Sequence, residues 1–269
     1  MPEEQRKTRV LLVGENPEIF SGNGNMMGAC LEDIDDEQYE VCLFVKDSNV
    51  SIGLYQDPFQ QVATHGAPTI GAEEEGDPWG KRRLLTLLNN NTIDIVVFVG
   101  IDIWRYQDIF DHIKEIQKVV GFTWKVLVPY DLDHVRDDWI KWLNYPDQVY
   151  VYSMHGYDMI KDRVPAARYY RPKLRFSDLY QVANKEDKEF VRKQIFADVS
   201  NETEIFCYYG NNQIRKNIHN MIKGFAEAYH KRTQKYKKDD MILYVHTENP
   251  EYPFSIERLK RDLQLPEGV

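Results

Sequence analysis

Residues Thr8 to Gly14 read TRVLLVG, a short unbroken apolar run closed by a glycine. A strand covered on one face alternates apolar and polar residues, whereas a strand of a parallel sheet, covered on both, reads as a continuous apolar run. Four more runs repeat the pattern: Tyr39 to Lys46 (YEVCLFVK), Ile93 to Gly100 (IDIVVFVG), Trp124 to Tyr130 (WKVLVPY) and Gln148 to Tyr152 (QVYVY). Between them the apolar spacing turns helical, at Met26 to Ile34, Lys81 to Asn89, Tyr106 to Val119, Val135 to Leu143 and His155 to Lys161. Strand and helix in alternation predict a doubly wound α/β domain. The stretch from Asn49 to Gly80 is rich in glycine and proline and carries the acidic run Glu73 to Glu75; it reads as irregular connection, with a short strand near Val62 to Thr64.

The chain has 269 residues, of which 42% are hydrophobic and 29% charged. That supports a large core and excludes disordered and fibrous classes. Its most apolar segment, Ile93 to Ile103, is broken by Asp94 and Asp102 and falls short of the ~18 to 20 residues of a bilayer span. The polar start, Met-Pro-Glu-Glu-Gln-Arg-Lys-Thr, has no secretory h-region, so a cytoplasmic location is the expectation. Cys30, Cys42 and Cys207 are scattered among apolar neighbours and read as reduced core thiols, and no ligand spacing points to a metal. A net charge of −9 opposes a nucleic-acid surface, so any anion binding is local.

A change of composition over Lys161 to Arg175 (KDRVPAARYYRPKLR) precedes a charged helix at Lys185 to Phe196. A second βαβ unit then follows: a strand at Glu204 to Tyr209 (EIFCYY), a helix from about Lys216 to Lys231, a strand at Met241 to Thr247 and a helix at Ser255 to Gln264. The expected division is a domain over 1–175, a linker and helix over 176–202, and a further Rossmann-like domain over 203–269. Two parallel strands cannot cover both faces of a sheet, so this second domain is expected to be incomplete, with apolar surface exposed near its end.

Three places could carry chemistry. Ser21 to Gly28 (SGNGNMMG) follows the first strand, where Gly22, Asn23 and Gly24 would let backbone approach a ligand at a helix N-terminus. The spacing GxGxxxG, starting seven positions after Gly14, departs from the dinucleotide fingerprint and leaves a substrate-facing loop or a plain loop as readings. Asp131, Asp133 and His134 follow the run Trp124 to Tyr130, at the carboxyl edge where α/β sheets place ligands; Asp131 and His134 are candidates for orienting a substrate or moving a proton, against loop solvation or helix capping by Asp133. In Tyr208 to Asn217 (YYGNNQIRKN), Arg215 and Lys216 stand at the expected helix start, where the dipole disfavours cations unless an anion is bound. Trp104, Trp124, Trp139 and Trp142 read as core or as sugar platforms.

The segment Glu204 to Tyr229 (EIFCYYGNNQIRKNIHNMIKGFAEAY) resembles the start of the donor-binding domain of GT-B glycosyltransferases of the family 4 type. Arg9 to Phe44 looks like that family's opening strand, glycine loop, helix and second strand, and Val128 to Asp131, Trp139 and Asp147 to Gly156 resemble its acceptor-domain segment. The resemblance implies a GT-B-like α/β fold: one complete Rossmann-like doubly wound domain with a parallel sheet, plus an incomplete second one. It implies retaining transfer of a sugar from a nucleotide-diphosphate-sugar to a hydroxyl of a glycan, lipid-linked or protein acceptor, with no metal and no further cofactor. Arg215, Lys216 and Asn217 would then hold the donor diphosphate, and Gly22, Asn23 and Gly24 would line the cleft between domains.

Two departures accompany the resemblance. Relatives place a further arginine five or six residues before the lysine, where this chain has Gly210 and Asn211. They also carry paired glutamates later in the donor domain, beyond the matching point of this sequence; Glu248, Glu251 and Glu257 read as surface residues. The alternative function is therefore a non-catalytic nucleotide- or carbohydrate-binding relative, or a chain completed by another. The cations between Arg215 and Lys238 also allow peripheral contact with an anionic membrane.

Overall fold

The computed structural model describes residues 6–19, 21–32, 34–46, 59, 69–71, 76–100, 105–130, 133–171, 183–247, 250, 251 and 253–266. The chain divides into two compact units, Met1–Tyr180 and Gln181–Val269.

In the first unit the order is β1 (Thr8–Glu15), α1 (Gly22–Glu32), β2 (Tyr39–Lys46), β3 (Thr69–Gly71), α2 (Lys81–Asn90), β4 (Ile95–Val99), a 3-10 turn (Gln107–Ile109), α3 (Phe110–Val120), β5 (Thr123–Val128), α4 (Asp137–Leu143), β6 (Gln148–Val151), α5 (Met154–Ile160) and β7 (Ala167–Tyr169). The strands form one seven-stranded sheet in the order β3-β2-β1-β4-β5-β6-β7, and every pairing is parallel. The strand order reverses between β1 and β4, so the crevice outside their carboxyl ends is where such sheets bind ligands.

Alternation along β1 explains why Val10 to Val13 holds no polar residue. Leu11 and Val13 join one core with Phe44, Phe98 and Trp124, while Val10 and Leu12 join another on the opposite face with Met27, Leu43 and Val99. The first face is sealed by α2 through Leu84, Leu87 and Leu88, by α3 through Phe110 and Ile113, by α4 through Ile140 and Leu143, and by α5 through Ile160. Those positions recur at i, i+3 and i+4, the stripe an amphipathic helix buries. The opposite face carries α1, beside which a groove of about 330 Å³ lies along Leu12, Ile95, Val97, Leu127 and Tyr150.

Several expectations need correction. The first helix begins at Gly22 and not Met26, because Ser21 caps it: its Oγ accepts from Gly24 N at 2.9 Å and its carbonyl from Asn25 N at 3.0 Å. Gly22, Asn23 and Gly24 are therefore helical, not a loop. Strand β3 lies in the stretch read as irregular connection and β7 in the stretch read as a change of composition; each has three residues. The fourth helix starts at Asp137 rather than Val135, so Asp133 is not its cap; Asp133 Oδ1 instead meets His155 Nε2 at 3.2 Å. The strand expected at Val62 to Thr64 lies outside the described residues, as do Trp104 and Glu248.

The second unit contains α6 (Lys185–Ile195), β8 (Glu204–Tyr209), a 3-10 turn (Ile214–Lys216), α7 (Ile218–Tyr236), β9 (Met241–His246) and α8 (Ile256–Asp262). Helix α6 opens with a capping box between Asn184 and Asp187. Strands β8 and β9 form a parallel pair from Glu204 opposite Met241 to Tyr209 opposite His246. Helix α7 covers one face, with buried Phe225 edge-on to Phe206 at 5.8 Å. On the other face Tyr209 stacks on His246 at 4.5 Å, and Cys207 is exposed, so it is not the core thiol its neighbours suggested. Two-strand pairing is the reason: no further strand among the described residues flanks β8.

Candidate functional site

Each unit gathers its polar groups at the carboxyl edge of its sheet. In the first, β1 ends on Glu15, whose carboxylate accepts from the Ser21 hydroxyl and, at 3.5 Å, from Asn23 Nδ2. Glu15 thus anchors the start of α1, where crowding requires a glycine at Gly24 but not at Gly22. A Cβ on Gly24 would stand 2.3 Å from the Ile19 carbonyl oxygen. Gly100, at the end of β4 with φ +61°, would place a Cβ 2.8 Å from Asn23 Oδ1. Asn23 therefore sits at the β1–β4 reversal, held from both sides, and its amide and the α1 N-terminus are available to a hydroxyl or anion.

Further along the same edge, Ser153 Oγ donates to the Tyr130 carbonyl at 2.6 Å and accepts from Gly156 N at 2.9 Å, capping α5. Tyr130 Oη donates to the His134 carbonyl at 3.0 Å. The His134 imidazole is exposed, and Asp131 lies outside the described residues. His134 makes no contact with Glu15 or Asn23 among the described residues. Glu15 was missed by the sequence reading, although a carboxylate ending an otherwise apolar run was visible in it. Trp79, at the same edge, was also missed, because it lies in the stretch read as irregular connection.

In the second unit, Arg215 and Lys216 occupy the 3-10 turn, and α7 begins two residues after Lys216. Asn217 links the two in the left-handed conformation, φ 54°, and its carbonyl accepts from Asn220 N at 3.1 Å. The cations therefore precede the helix instead of forming its first turn. Both are exposed and make no ion pair or hydrogen bond through their side chains among the described residues. In the loop after β8, Asn212 is only 4% exposed; its Nδ2 donates to the Phe254 carbonyl at 2.8 Å, while its Oδ1 has no partner. His219 Nδ1 and Thr247 Oγ1 are likewise buried and unpartnered, and the His219 ring packs edge-on to Phe254 at 5.3 Å. Buried polar atoms left unsatisfied are rare enough to mark places where a ligand or water completes the site.

Two of the later cations of α7 are engaged within the unit. Arg232 pairs with Asp240 at 2.6 Å and with Glu204 at 3.1 Å, and Lys231 with Glu227 at 2.6 Å. Two free cations at the start of a long helix contrast with these, and the positive helix end adds to their field. Among the described residues no group of three or more His, Cys, Asp or Glu side chains is placed to hold a metal ion, and no helix is long and apolar enough to cross a membrane.

No protein-family model matches the sequence, and no curated protein sequence matches it. Solved structures do resemble it. The catalytic domain of starch synthase IV from Arabidopsis thaliana, bound to ADP and acarbose, aligns with a TM-score of 0.57 at 9% identity, covering 96% of this chain and 71% of that one. The apo form of the lipopolysaccharide outer core galactosyltransferase WaaB aligns with a TM-score of 0.48 at 14% identity, covering 96% of this chain and 65% of that one. The chain thus spans about two thirds of the length of these structures. The fold is α/β and GT-B-like.

Proposed function

We propose that the chain is a glycosyltransferase of the retaining GT-B type, using a nucleotide-diphosphate-sugar as donor and a hydroxyl acceptor. The observation that carries the reading is the pair Arg215 and Lys216, exposed and without an ion pair among the described residues, ahead of the 19-residue helix α7. As the bond from the anomeric carbon to the diphosphate oxygen breaks, negative charge gathers on the departing diphosphate. Lys216 and Arg215 stabilise that charge more than the ground-state donor, which is what accelerates transfer. The α7 N–H groups add to the same cradle. Asn23 and Glu15, in the first unit, belong on this reading to the acceptor side.

Titration of ADP and UDP into the full chain tests the donor site. Micromolar binding is expected, weakened roughly 10- to 100-fold in Lys216→Ala, since a charge-assisted hydrogen bond contributes ~1.5–3 kcal/mol. Absence of binding to either nucleotide, or identical affinity in Lys216→Ala, refutes it. A second reading, a nucleotide-binding relative without turnover, is favoured by Gly210 and Asn211 standing where relatives carry an arginine. Tight binding with no release of sugar from any nucleotide-sugar offered would select it.

A further inference from the structure

We propose that the first unit holds a binding site for a phosphate monoester, on a platform made by Trp79 with Arg105 and Lys46. The Arg105 guanidinium lies 4.8 Å from the Trp79 ring centroid and the Lys46 ammonium 5.0 Å from it, so one indole carries two cations within about 10 Å of each other. Each is attracted to the ring's quadrupole, but the two repel. An oxyanion bound at Arg105 is attracted by that charge directly and by Lys46 through its field. Lys46 has further contacts of its own, so exposed Arg105 is the principal ligand and Lys46 adds to the field.

The platform is rigid and correctly placed. Tyr106 Oη donates to the Trp79 carbonyl at 3.0 Å and its ring meets the indole edge-on at 6.3 Å. Tyr106 is itself buried against Phe98 at 5.4 Å, and burial together with the nearby Asp77 charge keeps its phenol protonated. Among the described residues the neighbouring acids are engaged elsewhere: Asp77 accepts from Arg82 N at 2.9 Å, Asp108 pairs with Lys81 at 2.8 Å, and Glu15 accepts from Ser21 and Asn23. Lys46 is the last residue of β2, in register with Glu15, which puts the platform on the same carboxyl edge as Asn23. Resting on the reading of that edge as the acceptor side, the acceptor is inferred to carry a phosphate group.

The test uses the full chain with its tryptophans labelled with ¹⁵N, the Trp79 indole signal being identified from Trp79→Phe. Glycerol phosphate is expected to shift that signal saturably at millimolar concentration, whereas sodium chloride at equal ionic strength does not. Arg105→Gln should weaken the effect roughly five- to tenfold, and Arg105→Lys, which keeps the charge, should restore part of it. Lys216→Ala should leave it unchanged, which separates this site from the nucleotide site. A shift only with vesicles containing phosphatidic acid would assign the phosphate to a lipid, and a shift with glycerol phosphate to a soluble acceptor. No shift with either, or an equal shift in Arg105→Gln, overturns the proposal.

Discussion

The two units are built from the same βαβ grammar and differ in how much each sheet is covered. In the first, four helices seal one face of seven strands, and Trp124, Phe44 and Phe110 are essentially inaccessible. In the second, one helix covers two strands, the buried apolar cluster is Phe225, Tyr229 and Met241, and Tyr209 and Ile214 are 73% and 75% exposed. The unpaired cations sit on the thinly packed unit, whereas the crowded glycines and the Trp79 platform sit on the densely packed one. Local stability follows buried contacts, so the region that binds donor on our reading is also the easier to open.

The largest test of that contrast is a pair of deletions. Trp124→Ala removes an indole that meets Phe110 edge-on at 4.9 Å and Phe98 at 5.9 Å, and should cost about 3–5 kcal/mol. Phe225→Ala should cost clearly less, because Phe206 beside it is already 44% exposed and the cavity opens to solvent. Urea unfolding of each variant, with amide exchange in α3 and α7 reporting on each unit, measures both. Equal losses would dissolve the comparison. Trp124 Nε1 is buried without a partner, so Trp124→Phe should cost less than its volume implies.

How far the sequence could be read follows the same division. Continuous apolar runs announced β1, β2, β4, β5 and β6 within two residues, because burial on both faces leaves few polar positions in such strands. Three-residue edge strands such as β3 and β7 bury too little to leave a pattern, and they were missed. At the proposed donor site, Arg215 and Lys216 stand out in the sequence because two cations before a helix conflict with its dipole. Glu15 and Trp79 do not, since their roles depend on Ser21, Asn23, Lys46 and Arg105, which only the parallel register brings to one edge. Gly22 to Gly24 were recognised as special but given the wrong backbone, because the Ser21 cap competes with glycine's poor helix propensity and wins.

A smaller effect separates two glycines. Gly100→Ala should destabilise by about 1–2 kcal/mol, the cost of a left-handed backbone with a Cβ, and displace Asn23. Gly224→Ala, in the exposed middle of α7 with nothing within 4 Å of the new methyl, should stabilise by roughly 0.5–1 kcal/mol. Thermal melts of both variants give the two signs; the same sign for both would mean that α7 tolerates its glycine for a reason absent from the packing.

The smallest difference concerns acid. Burial alone would raise the Asp94 pKa, but the Arg9 N–H at 2.7 Å and the Arg6 guanidinium at 2.8 Å outweigh it and hold the carboxyl below its usual range. Asp240 is lowered mainly by its hydrogen bonds to Arg232, against a smaller opposing effect of desolvation. A carboxylate with a depressed folded pKa contributes stability above its unfolded value, about 4, and loses it as pH falls through the lower folded value. Both units should therefore weaken below about pH 4, and Asp94→Asn or Asp240→Asn should flatten that acid limb in its own unit. Their salt dependence should differ. Asp94 leans on a neutral backbone donor that ions do not screen, whereas Asp240 leans on a charged partner that they do. Raising salt at fixed low pH should reduce the effect of Asp240→Asn more than that of Asp94→Asn, and equal screening would show that the Arg6 contact, rather than the Arg9 N–H, controls the first unit.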